Sequence, residues 1–116
     1  MNKTRIGTDG EAAARDFLMG RGAEILASNV RIANAEIDII AQFGDVIAFV
    51  EVKTRKNTRY GRPAEAVTAQ KRRQIIRAAT AYAAENGLTD VPMRFDVVEI
   101  MPGFFNHIPG AFDANG

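Results

Sequence analysis

The segment from Val46 to Val52 constrains the fold most, because it is apolar on both faces apart from Glu51. Successive side chains of a strand point to opposite faces, so a strand with one face in water alternates apolar and polar residues. A run without that alternation is typical of a strand covered on both sides. The pattern therefore predicts that residues 46–53 form a central strand of a sheet.

The rest of the chain divides into two helices and three more strands, according to apolar periodicity and turn signals. Residues 10–19 and 63 to about 85 are the predicted helices, and residues 24–30, 36–41 and 93–100 are the predicted strands. Thr8 and Glu11 have capping-box spacing, which makes Thr8 the N-cap of the first helix, and Pro63 opens the second. The predicted class is α/β, in the order α-β-β-β-α-β.

Length and composition exclude several kinds of protein. The chain has 116 residues and a mass of 12.6 kDa, which fits one domain over 1–116, with a core at about 7–100 and a tail at 101–116. It contains no cysteine, which excludes thiolate nucleophiles and cysteine-based metal sites. No apolar run approaches the ~20 residues of a membrane span, and no signal core follows Met1. We therefore expect a cytoplasmic protein without a membrane partner.

The charges are segregated along the chain. The net charge is +1, but nine of the fifteen Lys and Arg residues lie between positions 53 and 77 with a single acid, which gives this segment +8 and the remainder −7. Such density is typical of surfaces that bind a phosphate backbone, and a merely solvated helix and loop is the alternative. The nine residues are Lys53, Arg55, Lys56, Arg59, Arg62, Lys71, Arg72, Arg73 and Arg77.

Three charged residues stand in strands that are otherwise apolar. Glu51 and Lys53 share one face at the end of the central strand, and Asp38 interrupts the run Ile37-Asp38-Ile39-Ile40. An unpaired charge in a core strand is costly. If the hairpin turns near Gly44, Asp38 lies within reach of Glu51. An ion pair of Glu51 with Lys53 at a sheet edge is the alternative interpretation.

Two carboxylates brought together repel each other, and a divalent cation relieves that repulsion. Oxygen ligands suit Mg2+, with Mn2+ as a substitute. Asp38, Glu51 and the backbone carbonyl of Val52 are the predicted ligands. Lys53 would orient or deprotonate a water beside the metal, or stabilise charge that develops on a phosphate.

Four further residues are ambiguous. Lys71 falls in the middle of an apolar helix arc, where a lysine extends to solvent, pairs with a carboxylate or serves a site. Glu11 either completes the capping box or points toward the sheet and a metal-bound water. Glu36 shares the face of Asp38 and would extend the acidic cluster. His107, a lone histidine in the tail, is not expected to bind a metal.

Several segments together resemble a known family. They are Gly7-Thr8-Asp9-Gly10-Glu11, Ala35-Glu36-Ile37-Asp38-Ile39-Ile40, Phe49-Val50-Glu51-Val52-Lys53-Thr54-Arg55 and Arg94-Phe95-Asp96-Val97-Val98. In this order they resemble the YraN-like family of small bacterial proteins, within the PD-(D/E)xK nuclease superfamily and similar to archaeal Holliday junction resolvases. The resemblance covers about residues 7–112. It implies a restriction-endonuclease-like mixed sheet flanked by helices.

The resemblance also implies roles for individual residues. Asp38 matches the motif aspartate, and Glu51 and Lys53 match the (D/E)xK pair. Glu11 matches the first-helix glutamate of the resolvases, and Lys71 matches a polar helix position near the site. This chain departs from the pattern at position 37, where isoleucine replaces the motif proline, and at position 35, where alanine replaces the usual glycine.

The residues and the resemblance together predict a Mg2+-dependent endodeoxyribonuclease selective for branched or junction DNA rather than for sequence. The predicted phosphate contacts are Arg55, Lys56, Arg59, Arg62, Lys71, Arg72, Arg73 and Arg77. A homodimer would present two sites to branched DNA. One alternative is a nucleic-acid-binding module of the same fold with weak or no catalysis, and another is a scaffold protein without a nucleic-acid partner.

Overall fold

The computed structural model describes residues 3–55 and 67–114. Its elements are α1 (Lys3–Gly20), β1 (Glu24–Ile32), β2 (Ala35–Phe43), β3 (Val46–Thr54), α2 (Ala69–Glu85), β4 (Met93–Met101) and β5 (Phe104–Phe112). The strands form one sheet in chain order, from β1 to β5. Neighbouring strands are antiparallel except β3 and β4, which are parallel and joined through α2. The sheet is therefore mixed, and the predicted order of elements is confirmed up to β4.

Strand β3 lies in the middle of the sheet, and both of its faces are buried. Phe49 belongs to a core on the side of α2, together with Ile75 from that helix. Val50 belongs to a separate core on the side of α1, together with Leu18. The two cores explain why the strand lacks an alternating pattern, and they confirm the prediction of a central strand.

Helix α1 begins earlier than predicted. It starts at Lys3, so Thr8 lies inside the helix and is not its N-cap. The capping-box interpretation of Thr8 and Glu11 is therefore wrong, because matching spacing does not prevent the preceding residues from being helical. Glu11 consequently lies in the body of the helix. At the other end, Gly22 adopts a φ of 97° two residues after the last helical residue, a left-handed conformation that glycine favours at helix C-termini.

Helix α2 begins later than predicted, at Ala69 rather than at Pro63. Thr68 has extended backbone angles and accepts a hydrogen bond from the Lys71 amide at 3.1 Å, so it is the N-cap. Pro63 itself lies outside the described residues. Neither helix of the described chain is long and apolar enough to cross a membrane.

The predicted tail contains a fifth strand. Pro102 and Gly103, the latter with a φ of 86°, turn the chain back so that β5 pairs with β4. Pro109 is tolerated within β5 because this strand is an edge of the sheet. The tail packs back on the body at Phe112, which is buried with its ring stacked on Phe95 at a centroid distance of 5.1 Å.

A buried charge ties β4 to β5. The Asp96 side chain is completely buried, and the Arg94 guanidinium donates to both of its oxygens at 2.8 and 2.9 Å. Nε2 of His107 lies 2.8 Å from Oδ2 of Asp96, and the Gly110 amide donates to Oδ1 at 3.0 Å. Burial by itself raises the pKa of Asp96, but the hydrogen bonds from His107, Arg94 and Gly110 outweigh it and lower that pKa. His107 therefore has a structural partner here, and sequence reasoning assigned no role to Asp96.

We expect Asp96→Asn to lower the free energy of unfolding by about 3 kcal/mol at pH 7, because it leaves Arg94 without its buried counter-charge. Since the pKa of Asp96 is lower in the folded state, the stability it supplies is present above about pH 4 and is lost as the pH falls through the folded value. The difference between wild type and variant should therefore shrink at pH 3. Urea unfolding at both pH values measures it, with Asp90→Asn at an exposed position as the control. An equal loss for both variants at pH 7 would contradict this account.

Candidate metal centre

The candidate site lies where β2 and β3 separate. The pairing of these strands runs from Phe43 and Val46 at the turn to Ile39 and Val50. Two residues beyond Val50, the Val52 amide donates its hydrogen to Oδ2 of Asp38 at 2.8 Å. A side chain of β2 therefore takes the hydrogen bond that a backbone carbonyl accepts in a regular ladder.

A distortion of β2 is centred on Asp38. Ile37 belongs to the core beside α2 and Ile39 to the core beside α1, although residues two apart in a regular strand share one face. Asn29 of β1 lies between the residues that pair with Ile37 and Ile39, and its φ of 53° is left-handed. Asparagine tolerates this conformation better than most residues. The break in alternation lets Asp38 stand between two isoleucines without entering either core.

The carboxylates of Glu11, Glu36 and Glu51 lie around that of Asp38. Oxygens of Glu11, Glu36 and Asp38 lie within 4.8 Å of one another, with Glu11 contributed by α1 and the other two by β2. Asp38 also interacts with the carboxylate of Glu51, a residue that is only 6% exposed. The structure therefore places Glu11 and Glu36 beside Asp38, and Asp38 beside Glu51, which is the arrangement that the sequence predicts, including the extension of the acidic cluster by Glu36.

The electrostatics of this cluster disfavour negative charge. Burial, as the largest cause, and the charge of Glu51 together raise the pKa of Asp38 to about 7, although the hydrogen bond from the Val52 amide opposes them. Burial and the charge of Asp38 likewise raise the pKa of Glu11, partly offset by a hydrogen bond with the Asn29 side chain. Asn29 is a site residue that sequence reasoning missed. An asparagine within a predicted strand, where it is depleted, was the only available signal.

Two lysines contact Glu51 from different elements. Nζ of Lys53 lies 3.7 Å from Oε2 of Glu51, and Nζ of Lys71 lies 3.9 Å from the same oxygen. Lys53 follows Glu51 on the same face of β3, whereas Lys71 comes from the first turn of α2. Of the three alternatives for Lys71, the structure shows the pairing with a carboxylate. The Glu51–Lys53 pair does not lie on an edge strand, because β3 is central.

The donor set fits a hard divalent cation. The converging ligand atoms are carboxylate oxygens, and such groups suit Mg2+ or Mn2+. The raised pKa values of Asp38 and Glu11 indicate crowded negative charge that a cation would relieve. Asp38, Glu51 and the carbonyl of Val52, with Glu11 and Glu36 beside them, are the groups available to hold it.

Two arginines of the basic segment have partners within the protein. Arg55 forms an ion pair with the buried carboxylate of Glu99, and its side chain is only 12% exposed. Nε of Arg72 donates to the Val67 carbonyl at 2.9 Å, and the guanidinium lies 5.7 Å from the centroid of the Phe112 ring. Each of these arginines would have to leave its partner to bind a phosphate.

The other basic residues divide into two groups. Arg73 and Arg77 are exposed on α2, and Nε of Arg77 donates to the Ala33 carbonyl at 3.3 Å. Lys56, Arg59 and Arg62 lie outside the described residues, so their predicted role stays a prediction.

We expect Asp38→Asn to raise the free energy of unfolding in metal-free buffer at pH 8, on the order of 2 kcal/mol. The pKa of Asp38 is higher in the folded state, so its contribution to stability is full below about pH 4 and is lost as the pH rises through about 7. The neutral amide avoids this loss. Urea unfolding with a chelator measures the effect, and Glu24→Gln at an exposed position is the control. A variant that is less stable than wild type at pH 8 would contradict the proposed crowding of charge.

Among solved structures, the chain resembles that of Archaeoglobus fulgidus Hjc, a Holliday junction resolvase from an archaeal hyperthermophile. The TM-score is 0.56 at 18% sequence identity, over 88% of this chain and 75% of that chain. At this identity the similarity concerns the fold. It confirms the predicted nuclease-like architecture, a mixed sheet flanked by helices.

Sequence comparison gives the family directly. A UPF0102 protein of Symbiobacterium thermophilum is 54% identical over 99 residues, which cover 85% of this chain and 84% of the relative. A UPF0102 protein of Clostridioides difficile is 45% identical over 114 residues, or 97% of this chain and all of the relative. The model of the uncharacterised protein family UPF0102 matches residues 10–100. The motifs, the relatives and the family model agree, and the chain belongs to UPF0102, the YraN family.

Proposed function

We propose that this protein is a metal-dependent endonuclease that hydrolyses phosphodiester bonds of DNA and selects branched structures rather than sequence. One observation carries the proposal: Asp38 and Glu51 meet where β2 and β3 separate, with the Lys53 ammonium 3.7 Å from Glu51. The similarity in fold to a Holliday junction resolvase supports the same class of reaction.

Different residues of the site would bind the metal, the attacking water and the phosphate. Asp38, Glu51 and the carbonyl of Val52 would hold Mg2+ or Mn2+, with Glu11 close enough to bind a coordinated water. The bound cation supplies Lewis-acid polarisation of the phosphate and a more acidic water. Glu51 holds the Lys53 ammonium at the site, where it would orient the attacking water or stabilise negative charge on the phosphate. The oxygen of the attacking water forms a new bond to phosphorus while the bond between phosphorus and the 3′ oxygen breaks. The proton that the water loses passes to solvent, and a solvent water protonates the 3′ oxygen, so the products are a 3′ hydroxyl and a 5′ phosphate.

Binding would depend on phosphate contacts rather than on base contacts. Arg73 and Arg77 are the exposed basic residues of α2. Lys71, in the first turn of the same helix, contacts Glu51 of the site. Contacts of this kind position a duplex without reading its sequence, so selection would follow shape. A two-fold dimer would offer two such sites to a branched substrate.

One observation favours a second candidate, a nucleic-acid-binding module of the same fold without catalysis. Lys53 and Lys71 both pair with Glu51, so the charge of that carboxylate is balanced without a cation. A Glu51 carboxylate compensated in this way would serve in a structural ion-pair cluster beneath a basic surface.

Cleavage assays separate the two candidates. We expect purified protein to cut a labelled four-way junction or flap faster than a linear duplex with Mg2+ or Mn2+, and not with EDTA. Asp38→Asn, Glu51→Gln and Lys53→Met should each slow cleavage roughly 10²- to 10³-fold, because each removes charge that stabilises the transition state. Glu24→Gln, an exposed acid on β1, should cleave like wild type.

Cleavage that survives in Asp38→Asn and Glu51→Gln would contradict the proposed site. Tight DNA binding without cleavage would favour the binding module. Neither binding nor cleavage with any DNA or RNA would overturn both candidates.

Metal binding can be measured without any nucleic acid. We expect calorimetric titration with Mn2+ to show saturable binding to wild type and none to Asp38→Asn. Bound metal stabilises the folded state by about 2.7 kcal/mol at a concentration 100-fold above Kd, which raises the midpoint of thermal unfolding. Asp45→Asn, an exposed acid at the β2–β3 turn, should keep the full response. Equal heats for wild type and Asp38→Asn would place any metal elsewhere.

A further inference from the structure

We infer that Phe104 is a stacking platform for an unpaired nucleobase beside the proposed cleavage site, so that the preferred substrate contains single-stranded or unstacked nucleotides. This inference rests on the proposed function and names its substrate class.

Phe104 is the only phenylalanine of the chain without a ring partner in the described structure. The chain has seven phenylalanines, and the other six each stack or pack edge-on against another aromatic ring or against the imidazole of His107. Phe104 is instead 54% exposed. The other exposed large apolar side chains described are Met19 and Met93, neither of them aromatic. An isolated, half-exposed ring has both a face and an edge available to a ligand.

The sheet places this ring on the same face as the lysines of the site. Phe104 pairs with Met101 and Asn106 pairs with Glu99, and these positions alternate with residues that face α1, such as Phe105. Lys53 pairs in turn with Glu99, and it shares a face of β3 with Glu51. Phe104, Glu99, Lys53 and Glu51 therefore lie on one face of the sheet, the face that α2 covers at the level of Lys71.

Phe104 also lies at the end of the sheet where β3 carries the site residues Glu51 and Lys53. The β4–β5 turn at Pro102 and Gly103 follows the C-terminal end of β4, beside the end of β3 where Thr54 pairs with Ile100. With a rise of about 3.3 Å per residue and about 4.8 Å between strands, the backbone at Phe104 is roughly 16 Å from that at Glu51. A few nucleotides of a strand held at the site span this distance.

The charges on this face favour a nucleic acid as the occupant. Lys53 and Lys71 place their ammonium groups 3.7 and 3.9 Å from Oε2 of Glu51, on the sheet face that carries Phe104, so the phosphates of a strand bound along this face would meet positive charge. Stacking on an aromatic side chain accepts any base, and a basic groove beside it holds the phosphates. Bases in an intact duplex are stacked on each other and do not offer a free face. The ring therefore selects a strand with at least one unpaired nucleotide.

A single tryptophan tests the contact directly. The chain has no tryptophan, so the emission of Phe104→Trp reports that position alone. In EDTA, where no cleavage is expected, we expect single-stranded oligothymidylate to quench this emission saturably and a blunt duplex not to quench it. Met93→Trp is the matched control, because Met93 is 39% exposed at the opposite end of β4. Its emission should not change.

Affinity gives a second readout. Phe104→Ala should bind single strands about 5- to 100-fold more weakly by fluorescence anisotropy, whereas Phe104→Tyr should bind like wild type. Affinity for the blunt duplex should be the same in all three proteins. Thermal unfolding checks that each variant is folded, as we expect for substitutions at an exposed position.

The outcomes separate this inference from the proposed function. DNA binding with unchanged emission of Phe104→Trp, or equal quenching by blunt duplex, would overturn the stacking role and leave the nuclease proposal intact. Quenching by an acidic protein or peptide but by no oligonucleotide would identify the surface as a protein interface and overturn the inference. No anisotropy change and no cleavage with any nucleic acid would overturn both.

Discussion

The hydrogen bond from the Val52 amide to the Asp38 carboxylate organises the centre of this structure. A buried amide inside a sheet needs an acceptor, and here a side chain supplies it at 2.8 Å after the backbone pairing of β2 and β3 has ended. The strands can therefore separate without leaving that amide unsatisfied. The separation in turn gives Asp38 access to Glu51 on one side and to Glu11 and Glu36 on the other.

Asp38 is partly buried and Asp96 fully buried, but their pKa values shift in opposite directions. Asp96 receives hydrogen bonds from Arg94, Gly110 and the ring of His107, so its pKa falls and its charge is part of the fold. Asp38 is mostly buried, with one amide donor and several carboxylate neighbours, so burial first and those neighbours second raise its pKa. A fully satisfied charge stabilises the fold, whereas a crowded one is typical of a functional site. The contrast supports a catalytic or metal-binding role for Asp38 and a structural role for Asp96.

The sequence was most informative where the local pattern and the tertiary environment agree. The central strand and the unusual positions of Asp38 and Glu51 could be predicted because a charge in an apolar strand stands out wherever the strand is placed. Helix boundaries could not, because the spacing of Thr8 and Glu11 matches a capping box although the chain is already helical there, whereas the true N-cap Thr68 is followed three residues later by Lys71 rather than by an acid. Strand β5 is not predicted within the tail at 101–116, and it contains Pro109, which only an edge position permits. The left-handed conformation of Asn29 leaves only the weak signal of an asparagine within a predicted strand, and the pairing of Arg55 with Glu99 depends on a neighbouring strand and leaves no local pattern.

Paramagnetic broadening by Mn2+ tests whether the proposed cation site lies in the gap between β2 and β3. In amide NMR spectra of the metal-free protein, substoichiometric Mn2+ should broaden the Val52 resonance and its neighbours first. The Gly110 amide, which donates to Asp96, should keep its intensity at the same concentration. Uniform broadening, or broadening that reaches Gly110 before Val52, would contradict the account.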